Sequence, residues 1–177
     1  RMSALIFCAS FMEMKEHYDE KYDKNIFIKN ILLENILPGD IAIKCKEMHL
    51  KNEVRRVVFL IKNVSSSGEI LTSDILKALF PDNSKDFVFN VSEKSLALVK
   101  EVGINETPEI LNQLALSIAD TLSSEFYIKV FVGIGTTVSD IKDLSRSYRE
   151  AQIALEVGKV FENEKAIVDY QNLGIAR

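Results

Sequence analysis

Two periods alternate along this chain and lay out its elements. In FYIKVFVGIG, from Phe126 onward, Ile128, Val130, Val132 and Ile134 fall on one side of an extended backbone, and Tyr127, Lys129 and Phe131 on the other. A period of two with β-branched and aromatic residues on both sides predicts a strand inside a sheet. Gly133 and Gly135 then loosen the backbone, and Thr136, Thr137 and Ser139 form a short polar crossing. From Asp140 the steps become three and four: Ile141, Leu144, Tyr148, Ala151, Leu155 and Gly158 share one face of a helix. Asp140 and Asp143 suit its first turn and Lys159 its last, with Asn163 as a stop signal. A short strand from Ala166 to Tyr170 completes a right-handed strand–helix–strand crossover.

The same patterns place the rest of the chain. Residues 3 to 23 predict a helix whose apolar stripe of Ile6, Phe11, Met14, Tyr18 and Tyr22 fades into the charged EMKEHYDEKYDK. A second helix is expected from Lys24 or Asn25, with Ile28, Ile31, Leu32 and Ile36 on its inner face and Leu37-Pro38-Gly39 as its stop. Asp40 then caps a third helix running to about Met48. Val54 to Asn63 read as a strand, with Val57, Phe59 and Ile61 facing one layer and Val58 and Leu60 the other. Leu71 to Phe80 read as a helix ended by Pro81, and DFVFNV and SLALVKEV as a hairpin turning at Ser92-Glu93-Lys94. Thr107 and Pro108 start a helix with Leu111, Leu114, Ile118 and Leu122 on one face. The expected fold is therefore α+β: a ferredoxin-like βαββαβ sheet with an added C-terminal helix and strand, preceded by N-terminal helices.

Composition narrows the function classes. A chain of 177 residues, 47% of them hydrophobic, fits one domain plus a helical extension, and no apolar run approaches the roughly 18 residues of a membrane span. A formal charge of −4 gives no general electrostatic reason to bind nucleic acid. Cys8 and Cys45 belong to no metal-type pair, and free thiols in apolar surroundings point to a reducing cytoplasm. The opening RMSALIFCASFM reads as helix rather than targeting signal, because Phe7 is too bulky for a cleavage site before Cys8 and the apolar run ends within a dozen residues.

No motif assembles an active site. VGIGTT lacks both the third glycine of a dinucleotide fingerprint and the Gly-Lys-Ser/Thr of a P-loop, so its Gly-x-Gly is a backbone adjustment at a strand end. The SSSG loop of Ser65 to Gly68 has no adjacent lysine or arginine and reads as a linker. His17 and His49 lie in different elements without partners at ligand spacing. Glu93 and Lys94 read as a charged turn, and Arg146, Arg149 and Glu150 as a solvated helix face. No catalytic residue, cofactor or metal ligand is expected.

The stretch GIGTTVSDIKDLSRSYREAQIALEVGKV with the following YQNLGIAR resembles the GGDEF-like domain of CdaR- and PucR-type bacterial transcription regulators. In that family a Gly-x-Gly strand end precedes a helix bearing Ser-Tyr-x-Glu-Ala, matched here by Ser147, Tyr148, Glu150 and Ala151. VRRVVFLIK and IKNILLENILPGD also fit, so the resemblance covers about residues 26 to 177. It implies residues 1–25 as a connector helix from an upstream ligand-sensor domain, and residues 26–177 as a regulatory domain linked to a downstream helix-turn-helix domain outside this chain. DNA would be met only through that domain, and the apolar stripe of the first helix would serve a homodimer.

The resemblance extends in sheet order to the cyclases that join two GTP molecules. Those enzymes place acidic metal ligands at the end of the first strand and a Gly-Gly-Asp/Glu-Glu-Phe turn in the hairpin. Here the first strand ends in Lys62 and Asn63, a lost metal position, and the turn is Ser92-Glu93-Lys94, with no glycine between Gly68 and Gly103. A lysine repels a divalent cation, and a turn without glycine hinders close approach of a nucleotide. The expectation is a non-catalytic regulatory and dimerisation domain, without specific GTP binding. The alternative is a degenerate module that still holds a nucleotide or another small ligand.

Overall fold

The computed structural model describes residues 2–64, 69–82, 84–160 and 167–174. The SSSG linker and Asn163 lie outside them, as do the side chains of His17, Tyr18 and Tyr22.

Helix α1 spans Met2–Leu32 without interruption, so the second helix expected near Lys24 is the continuation of the first. No glycine or proline occurs between Met2 and Leu37 to break the backbone ladder. An ion pair of Glu20 with Lys24 at 2.7 Å, one turn apart, straddles the expected junction. The helix closes before Pro38: Glu34 turns left-handed at φ 57, and the Asn35 N–H reaches back to the Asn30 carbonyl at 2.9 Å. Pro38 opens α2 (Pro38–Glu47) instead of stopping α1. Leu37 holds the cap position, so Asp40 contributes as a first-turn carboxylate and not as the cap.

After α2 come β1 (Arg56–Asn63), α3 (Glu69–Leu79), β2 (Phe87–Ser92), β3 (Ser95–Glu101), α4 (Pro108–Phe126), β4 (Val130–Ile134), α5 (Leu144–Val160) and β5 (Ile167–Asp169). The strands form one sheet in the order β2-β3-β1-β4-β5. β1 pairs antiparallel with both β3 and β4, and β5 adds parallel to β4. This is the expected α+β architecture. One boundary differs: α4 continues through Phe126 and ends on Tyr127, left-handed at φ 55, so the strand read from Phe126 begins only at Val130.

Two apolar layers sandwich the sheet. Val57, Phe59 and Ile61 of β1 and the whole Ile128, Val130, Val132, Ile134 series face α3 and α4. Val58 and Leu60 face α1, α2 and α5, where Ile28, Ile31, Leu32 and Cys45 join Leu144, Ala151 and Leu155. Only the C-terminal part of α1 shares in this core. Ile6, Phe11 and Met14 stay 68%, 63% and 71% exposed, so that stripe does not pack on the domain. Cys8 is exposed as well, and of the two thiols only Cys45 has the apolar surroundings expected of both.

Candidate functional site

The end of β1 and the hairpin turn, two places where cyclases keep their chemistry, meet in this fold. Lys62 lies opposite Ser95 of β3, and the Asn63 N–H donates to the Lys94 carbonyl at 2.9 Å. Ser92 pairs with Ser95 across the turn, leaving Glu93 and Lys94 exposed at its tip. Asn63 is buried and follows Ile61 toward the α4 layer, whereas Lys62 follows Leu60 toward α5. There the Lys159 side chain faces it within hydrogen-bonding reach. That contact, followed by burial and by the charges of Lys159 and Lys94, holds the Lys62 ammonium below the usual lysine range, against the pull of Glu156. Sequence reasoning singled out Lys62 and Lys94 but assigned Lys159 only to the helix dipole.

Cationic surroundings of this kind are hostile to magnesium, which is held by carboxylates and water. Glu93 is a single carboxylate at an exposed tip. Among the described residues no group of three His, Cys, Asp or Glu side chains could hold a metal ion. His49 sits exposed just beyond α2, at φ 53. A depression of about 410 Å³ opens at the same sheet end on the α4 side, lined by Ala119, Asp120, Ser123, Tyr127, Lys129 and Val130. It does not include Lys62 or the hairpin turn.

The Gly-x-Gly and Ser-Tyr-x-Glu-Ala residues form a second constellation, and its work is packing. Neither Gly133 nor Gly135 has a positive φ, so conformational freedom is not their role. A Cβ on Gly133 would lie 2.3 Å from the Ala151 carbonyl oxygen, and one on Gly135 2.0 Å from that of Ser147. Both glycines let α5 press its backbone against β4, a correction to their reading as a loosened strand end.

Beyond Gly135, whose N–H still donates to the Val58 carbonyl at 3.0 Å, the chain leaves the β1 ladder and rejoins it at Val138, which exchanges both backbone bonds with Arg56 at 2.8 Å. That excursion strands backbone donors in the interior, and α5 supplies acceptors. Ser147 Oγ, fully buried, accepts from the Val58 N–H at 3.1 Å. Glu150 accepts from the Thr136 N–H at 2.9 Å and from the Thr136 hydroxyl. Glu150 is thus not part of a solvated face, whereas Arg146 and Arg149 are exposed, Arg149 pairing with Glu34 at 3.1 Å. Tyr148 is buried, and its hydroxyl accepts from Gln152 at 3.1 Å. A sequence signal for this clamp did exist: small residues on the strand opposite a buried-facing serine one turn from a glutamate.

No curated protein matches the chain. The GGDEF-like domain matches it over residues 35–157, from just beyond α1 through most of α5. With well over half of the chain inside that match, and with the sheet and helices in place around it, the protein belongs to the GGDEF-like domain family.

Proposed function

We propose that this domain is a non-catalytic regulatory module of a cytoplasmic transcription regulator of the CdaR or PucR type, connecting a ligand sensor to a helix-turn-helix domain of the same protein. The observation that carries the reading is the reversal of charge at the end of β1, where Lys62 meets Lys159 and Lys94 in place of carboxylates. Phosphoryl transfer rests on positioning and on neutralising charge with metal ions, and a cationic strand end supplies neither ligand nor base for that chemistry. The fold persists while its site has changed.

Self-association through α1 completes the proposal. Ile6, Phe11 and Met14, with Leu5, Phe7 and Met12 beside them, leave an apolar surface on a helix that only its other end anchors in the core. A second copy is the occupant this surface suits, since a symmetric dimer matches a two-fold operator. The net charge of −4 supports a reading in which DNA is met through another domain.

Incubation with GTP and magnesium or manganese, followed by chromatography, tests the catalytic part: no cyclic dinucleotide is expected. Product formation abolished by Glu93→Ala would overturn the reading. Light scattering over a concentration series, with and without residues 1–23, tests the association. A monomer in both cases would refute the dimer.

A further inference from the structure

Arg56 and Asp169 are the charged side chains buried among the described residues, and they differ in how they are met. Asp169 accepts from Asn112 Nδ2 and from the Gln171 N–H, both at 3.0 Å. Arg56, at the start of β1, uses a single N–H, from Nη2 to the Lys51 carbonyl at 2.9 Å. Its Nε and Nη1 are sealed from solvent and find no partner among the described residues. The Oδ1 of Asn52 is in the same condition, and the carbonyl that Arg56 holds belongs to the peptide joining Lys51 to Asn52. The Asn52 carbonyl accepts in turn from the Ile141 N–H at 3.1 Å, so the backbone is pinned on both sides of that residue. Unmet donors and an unmet acceptor thus lie one residue apart, where the connection from α2 to β1 crosses the sheet end.

The chemistry of these groups describes a ligand. Lys51 takes one Nη2 hydrogen, and the other stands parallel to an N–H of Nε or of Nη1, on whichever side Lys51 leaves free. Such a parallel pair is the fork with which a guanidinium grips two oxygens of a planar anion. The amide oxygen of Asn52 repels an anionic oxygen but accepts an O–H. No ion pair among the described residues engages Arg56. Glu101 stands opposite it across the β1–β3 ladder, and Asp140, beside Ile141, is drawn to Lys142 at 3.5 Å. Cys45, buried in the same layer, brings no charge, because burial outweighs the field of Arg56 and holds its thiol above the usual range.

We propose that Arg56 and Asn52 form a site for a small planar oxyanion bearing a hydroxyl, of which hydrogencarbonate is the simplest: two oxygens sit on the guanidinium fork and the hydroxyl donates to Asn52 Oδ1. A buried charge without a counter-ion weakens a fold, and a monoanion that neutralises it binds the folded chain and stabilises it. Asn52 is half-buried and Lys51 exposed, so the ligand enters through the connection between α2 and β1. The carboxylates of Glu101 and Asp140 oppose the anion and limit its affinity. The site lies at the opposite end of β1 from Lys62 and does not rest on the proposed regulatory role.

Urea unfolding of the whole chain in sealed cells, with sodium hydrogencarbonate replacing sodium chloride at fixed pH and ionic strength, tests the site. A saturable rise of about 0.5 M in the urea midpoint is expected at about ten times the half-saturating concentration. Nitrate and formate suit the fork but carry no hydroxyl, so each should need about tenfold more, the scale of one hydrogen bond. Arg56→Met should abolish the rise. Asn52→Ala should weaken hydrogencarbonate about tenfold and leave nitrate unchanged, whereas Lys51→Ala, which keeps the carbonyl, should alter neither. Absence of a saturable rise, an equal rise in Arg56→Met, or nitrate as effective as hydrogencarbonate would each overturn the proposal. Asn52→Ala carries the test even if Arg56→Met fails to fold: hydrogencarbonate still preferred tenfold over nitrate in that variant would overturn it.

Discussion

Replacing Ser147 by alanine isolates the clamp between α5 and the sheet. The hydroxyl is fully buried and accepts from the Val58 N–H at 3.1 Å, a donor that faces the point where β4 has left the ladder. Water has no route to that amide, so Ser147→Ala leaves it unpaired at a cost of about 1–3 kcal/mol. The lost oxygen opens too small a void to add much, and alanine's better helix propensity returns roughly 0.5 kcal/mol. The net expectation is a destabilisation of about 1–2 kcal/mol, which lowers the melting temperature by about 2–8 °C in a chain of this size. Urea unfolding followed by circular dichroism measures the first quantity, and amide hydrogen exchange at Val58 reports the cause. A stability within about 0.5 kcal/mol of the parent, with Val58 as protected as before, would refute the reasoning.

Three further outcomes follow from neighbouring observations. Gly135→Ala puts a methyl 2.0 Å from the Ser147 carbonyl oxygen and 2.6 Å from its hydroxyl, so α5 must move. A loss of about 3 kcal/mol or more is expected by denaturant titration, larger than ordinary overpacking because backbone is in the way. Arg56 is 1% exposed, and among the described residues its Nε and Nη1 find no partner while Nη2 donates to the Lys51 carbonyl at 2.9 Å. Burial holds its pKa below the usual range, and Arg56→Met should be neutral to stabilising by about 1 kcal/mol in thermal unfolding, as for other buried charges exchanged for hydrophobes. At Glu106 burial works against ionisation, but the Gly103 N–H and Lys100, 3.2 Å away, outweigh it and hold the carboxyl below the usual range. Its contribution is therefore present above the unfolded-state pKa and lost as pH falls through the folded one, so Glu106→Gln should cost about 0.5–1 kcal/mol at pH 7 and little at pH 3 in parallel urea titrations.

The sheet was legible because its signal is local. Alternation in Val57 to Ile61 assigns each residue to its layer, and the same holds for Ile128 to Ile134. Turn residues marked the hairpin at Ser92 to Lys94. Helix limits were less legible, because charge and fading amphipathicity near Lys24 do not stop a helix when neither glycine nor proline intervenes. Phe126 and Tyr127 looked like strand residues, yet the αL turn at Tyr127 assigned them to the end of α4. The candidate site was half visible. Lys62 and the turn at Lys94 followed from comparison with what a metal site needs, but Lys159 joins them only through the fold, across 97 positions of chain from Lys62. Glu150 read as solvent-facing because periodicity reports faces and not the backbone donors that a distant excursion leaves behind.

The unbroken α1 also has a mechanical meaning. Its 31 residues give a rod about 46 Å long at 1.5 Å per residue, clamped at one end by Ile28, Ile31 and Leu32. Along such a rod rotation is conserved, so the compass bearing of Phe11 and Met14 is set by the bearing of Ile28. One residue added near Lys15 would swing the apolar surface by about 100° around the axis, while seven would return it to within about 20° of its original bearing. Whatever grips the far end of α1 therefore addresses the sheet through an angle, and the sequence between them acts as the gear that fixes it.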